Sequence, residues 1–370
     1  MSFRENIFRF CLSLGTLSLA ACGAGTDVSP GASESGHTEP SATTVLANAA
    51  VLGQRAFDNR TDFENARRGL IARPSGLFVE GENGSQIWNR AAYDFIDAEG
   101  ENAPASVNPS LWRQAALNNI HGLFEVTDGI YQVRGYDLSN MTIIEGDTGW
   151  IVVDPLTARE TASQAFLFAR EHLGNKPVHA IMFTHSHIDH FGGVQGVLQH
   201  LSEEEKASLR IIAPAGFEEE ATSENIIAGP AMTRRAMYMY GKRLARDARG
   251  HVDTGLGKAP AFGTFGFAAP TELISETGTR LTVDGVAMEF QIVSGSEAPA
   301  EFTFYLPQKK AFCGAELVSR NMHNLYTLRG AKVRDARLWS GFIDEATTLF
   351  ADTEVYFGSH HWPLWGRDNI

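Results

Sequence analysis

Thr184-His185-Ser186-His187-Ile188-Asp189-His190-Phe191-Gly192-Gly193 is an H-x-H-x-D-H motif closed by paired glycines. Just upstream, Ala180-Ile181-Met182-Phe183 is an unbroken apolar run and reads as a buried strand. Downstream, Phe191-Gly192-Gly193-Val194 reads as a loosened entry into a helix. A strand end fixes the backbone, and the loop after it lets neighbouring side chains converge. Imidazoles with one hard carboxylate are what a zinc-like divalent ion takes as ligands. Two ions fit the spacing, His185 and His187 on one, Asp189 and His190 on the other. A merely solvated loop has no use for four chelating side chains this close together.

Working outward, Leu123–Val126, Ile130–Val133, Met141–Glu145 and Gly149–Asp154 read as successive strands, Ala158–Leu173 as a helix, and Val178–Phe183 as the strand that delivers the motif. A meander followed by β-α-β predicts an α/β protein: a mixed sheet, helices outside, and a site at the carboxyl ends of strands. Asp154 ends its strand at the same sheet edge as His185. It either orients a ligand histidine from behind or caps the turn before Pro155. A second set of strands runs through Leu281–Val283, Ala287–Val293, Glu301–Leu306, Lys310–Cys313 and Val355–Gly358. Glu297, Glu316, His360 and His361 follow these strands and are further candidate ligands.

Between the two sets, Asn225–Tyr240 places Met232, Met237, Tyr238, Met239 and Tyr240 among Arg234, Arg235, Lys242 and Arg243. This pattern suits either a substrate with an apolar tail and an anionic head, or an amphipathic helix packed on the core. The phenylalanine- and glycine-rich Phe262–Phe267 reads as a loop that lines a channel. Upstream of the first strands, Asp62 is a candidate helix cap and Pro109–Leu117 a short helix. That region reads as scaffold or as a wall of a substrate channel.

The formal net charge of −13 argues against nucleic acid or an anionic membrane surface as partner. An anionic substrate would need a local basic cluster. At the N-terminus, Arg4 and Arg9 precede a short apolar run, Phe10–Leu19, which is too short to span a bilayer. Leu19-Ala20-Ala21-Cys22 resembles a bacterial lipoprotein cleavage box, with an ordinary secretory signal as the alternative. The expected organisation is a signal peptide over 1–21, a flexible tether over 22–44 and a catalytic domain over 45–370. The expected location is exported and periplasmic, with a lipid anchor at Cys22 as the membrane contact. Cys11 lies in the signal, so Cys313 is left without a disulfide partner and reads as a buried small apolar residue.

H-x-H-x-D-H after a strand, with late ligands after later strands, resembles the metallo-β-lactamase superfamily. The resemblance implies an αββα sandwich, here with an N-terminal extension. Most hydrolases of that superfamily use a third histidine on the first metal and a bridging aspartate; this chain offers Glu297 and Glu316 instead. Asn119–Val126, Arg134–Thr142, Met322–Asp335 and Gly358–Pro363 look like the alkyl sulfatases of the SDS-hydrolase type, and the resemblance covers about residues 47–366. It implies two zinc ions, one held by His185, His187 and Glu297, the other by Asp189, His190 and His361, with Glu316 bridging. His360, next in sequence, is the alternative to His361.

The resemblance further implies that Asn324, Arg329 and Arg334 bind sulfate and that His323 is the catalytic general acid. The implied reaction is hydrolysis of alkyl sulfate esters such as dodecyl sulfate to alcohol and inorganic sulfate by a water that the two zinc ions activate. Arginine forks suit the sulfate head. The family is known for cleaving the carbon–oxygen bond. Its members usually continue into a helical dimerisation domain and a lipid-carrier-like domain. Neither is expected here, since the sequence stops at Ile370; a homodimer is left open. Two other readings compete: another hydrolase on the same scaffold, and a non-catalytic lipoprotein that binds metal or an amphiphile.

Overall fold

The computed structural model describes residues 37–370, and the fold occupies Pro40–Ile370. The expected signal peptide, Cys22 and most of the tether fall outside the described residues. Helix α1 (Ala42–Leu52) starts within the range read as tether, with the Ser41 hydroxyl accepting from Thr44 N–H as its cap. Among the described residues no helix is long and apolar enough to cross a membrane.

Helix α2 (Thr61–Arg67), strand β1 (Leu70–Ala72), the hairpin of β2 (Phe78–Glu80) and β3 (Gln86–Asn89), and helix α3 (Pro109–Asn118) complete the N-terminal part. Asp62 does not cap α2. It lies inside the first turn and pairs with Arg113 and Arg320, so a partner far along the chain wins over the local role. Phe63, Tyr93, Ile96 and Trp112 form a core with Val252 and Trp362. This part is scaffold: it buttresses the loop near Val252 and the segment that carries His360, and contributes no wall to the cavity described below.

The two-sheet core opens with β4 (Gly122–Thr127), β5 (Ile130–Arg134), β6 (Met141–Glu145) and β7 (Trp150–Val153), an antiparallel meander. Helix α4 (Arg159–Leu173) then crosses over to β8 (Val178–Met182), parallel to β7. Ala162, Ala165, Phe166 and Ala169 recur at helical spacing on α4, and this stripe packs on the sheet. Helix α5 (Val194–Leu198) lies against α4. A Cβ on Gly193 would stand 2.2 Å from the Pro155 carbonyl oxygen and 2.7 Å from Ala162 Cβ. The glycines that close the motif therefore let the metal loop and α5 sit directly on the backbone before α4.

Helix α6 (Glu203–Ser208), strand β9 (Arg210–Pro214), helices α7 (Phe217–Thr222) and α8 (Gly229–Met239), and β10 (Glu272–Ile274) follow. The first sheet has the order β1-β4-β5-β6-β7-β8-β9-β10. The second is β11 (Arg280–Val283), β12 (Val286–Ile292), β13 (Phe302–Leu306), β14 (Ala311–Cys313), β15 (Val355–Phe357) and β16 (Leu364–Trp365), in that order. β14 and β15 are its parallel pair, and helix α9 (Ala336–Leu349) lies in the long connection that such a pair needs.

Ile144, Ile151 and Met182 of the first sheet meet Phe290, Phe302, Phe304 and Phe357 of the second in one buried layer. The other face of the first sheet is covered by α4 and α5; Trp339 and Ala346 of α9 pack on the second. The layers are α-β-β-α, as expected. Cys313, free and the one cysteine among the described residues, is buried in the inter-sheet core, and burial pushes its thiol up.

Candidate active site

The metal loop leaves β8 at the edge where both sheets end. Phe302 N–H donates to the Thr184 carbonyl at 3.0 Å and Ser186 N–H to the Ala300 carbonyl at 3.2 Å, so the loop is stitched to the start of β13. That stitch brings the motif to Glu297. β14 ends in a turn where Ala315 takes a left-handed φ of 46°, and this presents Glu316 to the same point. β15 delivers Gly358–His361.

Two groups of ligand-type side chains result: His185, His187, Glu297 and Glu316, and beside them Asp189, His190 and His360. Glu316 Oε2 stands 3.2 Å from His185 Nε2, 3.5 Å from His190 Nε2 and 3.4 Å from His360 Nε2. It lies between the two groups, where the sequence reading placed the bridge. Glu297 Oε2 is 2.9 Å from His187 Nδ1 and 3.6 Å from His185 Nε2. Asp189 Oδ2 is 3.2 Å from His190 Nε2.

His361 does not join the second group. Its Nε2 donates to the Gly255 carbonyl at 2.8 Å, while His360 Nε2 stands 3.6 Å from Asp189 Oδ2. The chain bends here, with His361 in a left-handed φ of 62°, and only one of the two rings joins the ligand groups. The alternative weighed at the sequence level, His360, is the one that faces in.

The far nitrogens are held from behind. His190 Nδ1 meets Asp154 Oδ2 at 3.0 Å, His185 Nδ1 meets Thr184 Oγ1 at 2.9 Å, and His360 Nδ1 meets the Leu138 carbonyl at 3.1 Å. Asp154 also accepts from Thr184 N–H, Thr184 Oγ1 and Ser359 Oγ, and takes a left-handed φ of 52°. Of the two roles left open for it, the structure carries the one behind His190. Burial alone would raise its carboxyl, but the His190 charge and hydrogen bond outweigh this and hold it below its ordinary value.

The near atoms are left open. His185 Nε2, His190 Nε2, His360 Nε2 and Glu297 Oε2 are buried and lack any hydrogen-bond partner. Buried imidazoles and carboxylates that converge without hydrogen-bonding one another are costly unless a cation joins them. The residues therefore fit metal binding.

Beside the two groups, His323 Nε2 lies 3.0 Å from Glu316 Oε1, and its Nδ1 donates to the Asn324 carbonyl at 2.8 Å. Burial would lower this imidazole; the hydrogen bond to Glu316 and the charges of Glu316 and Glu297 outweigh it and lift it to about 9. Arg334 is buried and contacts Glu297 through Nη2, the Glu297 carbonyl through Nε at 2.6 Å, and Asn324 Oδ1 at 2.9 Å. Arg329 is less engaged, with Thr327 Oγ1 at 3.4 Å and Glu224 Oε2 at 3.6 Å.

His187, Asp189, Glu297 and Glu316 of the ligand groups open, with His323, Asn324, Arg329 and Arg334, on one cavity of about 190 Å³. Its apolar walls include Met232, Met239 and Tyr240 of the α8 segment and Phe262 and Phe265 of the loop expected to line a channel. The basic residues of the α8 segment do not line it: Arg234 and Arg235 are exposed, and Lys242 caps the Phe262 ring from outside at 3.6 Å. The cationic head comes instead from Arg329 and Arg334, about ninety residues later in the chain.

Residues 134–288 match the metallo-beta-lactamase superfamily. The chain belongs to the metallo-β-lactamase superfamily. Within this superfamily it is 48% identical to a linear primary-alkylsulfatase of Pseudomonas sp over 328 residues, which is 88% of this chain and 48% of that protein. It is 45% identical to the alkyl/aryl-sulfatase BDS1 of Saccharomyces cerevisiae over 342 residues, 92% of this chain and 52% of that one. The solved structure of the stereoselective inverting sec-alkylsulfatase Pisa1 from Pseudomonas sp. superposes with a TM-score of 0.85 at 46% identity, over 90% of this chain and 52% of that one. The chain thus spans about half the length of the curated relatives it matches.

Two residues near the site had escaped the sequence reading. Glu301 is fully buried behind the ligands; its Oε2 accepts from Ala298 N–H at 3.1 Å and its Oε1 from Glu316 N–H at 3.2 Å. It fixes the backbone beside both ligand glutamates, and burial lifts its carboxyl to about 7. Glu224, near Arg329 and His187, is the other. No spacing signal marks either, since each becomes significant only through residues distant in sequence.

Proposed function

We propose that this chain hydrolyses alkyl sulfate monoesters to alcohol and inorganic sulfate with two zinc ions. The observation that carries the reading is the single cavity in which the two ligand groups, a cationic head and an apolar wall meet. Identities of 45–48% to alkylsulfatases over most of the chain support the reaction class. One ion would be held by His185, His187 and Glu297, the other by Asp189, His190 and His360, with Glu316 shared. Zinc bound there supplies Lewis-acid charge and a water acidic enough to lose a proton near neutral pH.

The chain's own residues do the rest. Arg329 and Asn324 hold the sulfate oxygens, and a guanidinium does so with fork geometry and permanent charge. Arg334 divides its role, since it also fixes Glu297 and Asn324. His323, with Nε2 3.0 Å from Glu316 Oε1 and Nδ1 on the Asn324 carbonyl, stands beside the head as general acid. Met232, Met239, Phe262 and Phe265 take the alkyl tail and exclude water from the reacting end. Export, with anchoring through Cys22, is part of the same proposal and rests on the pattern of residues 4–22 alone.

The test is a substrate panel on purified, zinc-loaded protein: dodecyl sulfate, a β-lactam and an alkyl phosphodiester. Sulfate release from dodecyl sulfate, with the other two turned over far more slowly, is the expected result. Faster turnover of the β-lactam or the phosphodiester would replace this reading with the other hydrolase one.

A further inference from the structure

The head of the cavity contains a carboxylate that neither the ligand groups nor the anion donors account for. Glu224 sits on a π-helical turn, Ser223–Ile227, between α7 and α8. It is 7% exposed and lines the same cavity as Arg329 and Arg334. Its Oε2 is 3.6 Å from Arg329 Nη2 and 3.9 Å from His187 Nε2. Its Oε1 is buried with no hydrogen-bond partner. A buried acceptor left open in a site that binds anions opposes binding, and such repulsive elements set specificity.

Charge matching shows what it would select. Arg334 already faces Glu297, and Arg329 faces Glu224, so each guanidinium of the head has a carboxylate beside it. The proposed substrate carries one negative charge on its head. Hydrolysis, R–OSO3⁻ + H2O → R–OH + SO4²⁻ + H⁺, leaves a product with two at neutral pH, whichever ester bond breaks.

We propose that Glu224 is a charge-selecting residue, which tunes the head to a singly charged sulfate ester and disfavours doubly charged anions, the released sulfate and alkyl phosphates among them. The inference rests on the alkyl sulfate reading. It gives the site a way to let its product go. It also separates two roles by the sign of their effect. If Glu224 only held Arg329 in place, its loss would weaken every anion alike. If it selects charge, its loss strengthens dianions relative to monoanions.

The experiment uses zinc-loaded protein and two headgroup probes without tails, inorganic sulfate and methanesulfonate, as competitive inhibitors of dodecyl sulfate turnover. In Glu224→Gln the inhibition constant of sulfate falls about tenfold relative to that of methanesulfonate, as removal of one nearby charge in a partly solvated pocket implies. Glu224→Asp, which keeps the charge, keeps the wild-type ratio. An unchanged ratio in Glu224→Gln, or equal weakening of both probes, overturns the proposal. Wild-type protein provides a test that does not depend on the variants folding. It binds methanesulfonate at least as tightly as sulfate, and a tenfold preference for sulfate contradicts the proposal. Absence of any dodecyl sulfate turnover by wild-type protein would instead sink the reading beneath it.

Discussion

The two halves of the site are built differently. The metal half stands on strand ends, is almost wholly buried, and has its histidines fixed from behind by Asp154, Thr184 and the Leu138 carbonyl. The substrate half stands on the irregular segment 319–335, where Met322 is 99% and Leu328 73% exposed. That segment is tied down at a few points, chiefly Arg334 on Glu297 and Lys332 on Glu220. Rigid elements hold the groups that must converge to within tenths of an ångström; a loop carries the groups proposed to choose the substrate. Arg334 is the hinge between the halves, because it touches a ligand and an anion donor at once.

The largest effect expected from this division is in Glu316→Ala. The Glu316 carboxylate stands within 3.5 Å of histidines of both ligand groups, so zinc content per chain and sulfate release are expected to fall together to background. Retention of either alone would show that the groups are not coupled. Arg329→Ala and Arg334→Ala then sharpen the contrast. Arg329→Ala keeps its zinc and loses about a hundredfold in kcat/KM, the scale of truncating one partner of a buried charge contact. Arg334→Ala loses zinc as well, because Glu297 is left without its guanidinium. Full activity in Arg329→Ala would remove the sulfate assignment.

Next comes Asp154→Asn, which weakens zinc binding by about 10–100-fold, the usual cost of losing a carboxylate behind a ligand histidine. His360→Ala loses one zinc equivalent in a metal assay, whereas His361→Ala keeps both; the opposite outcome would restore His361 as ligand.

The smallest effect lies far from the site. Burial works against it, but Arg320 and Arg113 hold the Asp62 carboxyl below its ordinary value. A depressed folded-state pKa gives stability that is present above the unfolded pKa and is lost as pH falls through the folded one. Urea unfolding should therefore show Asp62→Asn less stable than wild type near neutral pH, by under about 1 kcal/mol for a partly exposed pair, with the gap closing in acid. A gap that persists at low pH would assign the effect to packing.

The metal half was largely legible in the sequence because its information is local. His185 to His190 lie within one loop, and the apolar run before them announces the strand. Glu297 and Glu316 were legible through their place after buried strands. The choice between His360 and His361 was not, since both follow the same strand and only the path of the chain beyond Gly358 decides which one faces in. The αββα layering followed from strand order and family resemblance together.

In the substrate half, the Met232–Met239 segment read equally as a tail-binding wall or a core-packed helix, and the arginines beside it in sequence turn outward. The cations that enter the cavity come from Arg329 and Arg334 through a tertiary contact that no periodicity encodes. Glu301 and Glu224 were invisible for the same reason. A lone glutamate reads as solvated until the fold buries it.

The most direct test of the account is metal reconstitution of dodecyl sulfate turnover. Purified protein is stripped with a chelator and titrated with zinc while sulfate release is measured. The expected result is no release from the stripped protein and recovery that levels off at two zinc ions per chain. Release that persists after stripping, or a folded protein with two zinc ions that frees no sulfate, would contradict it.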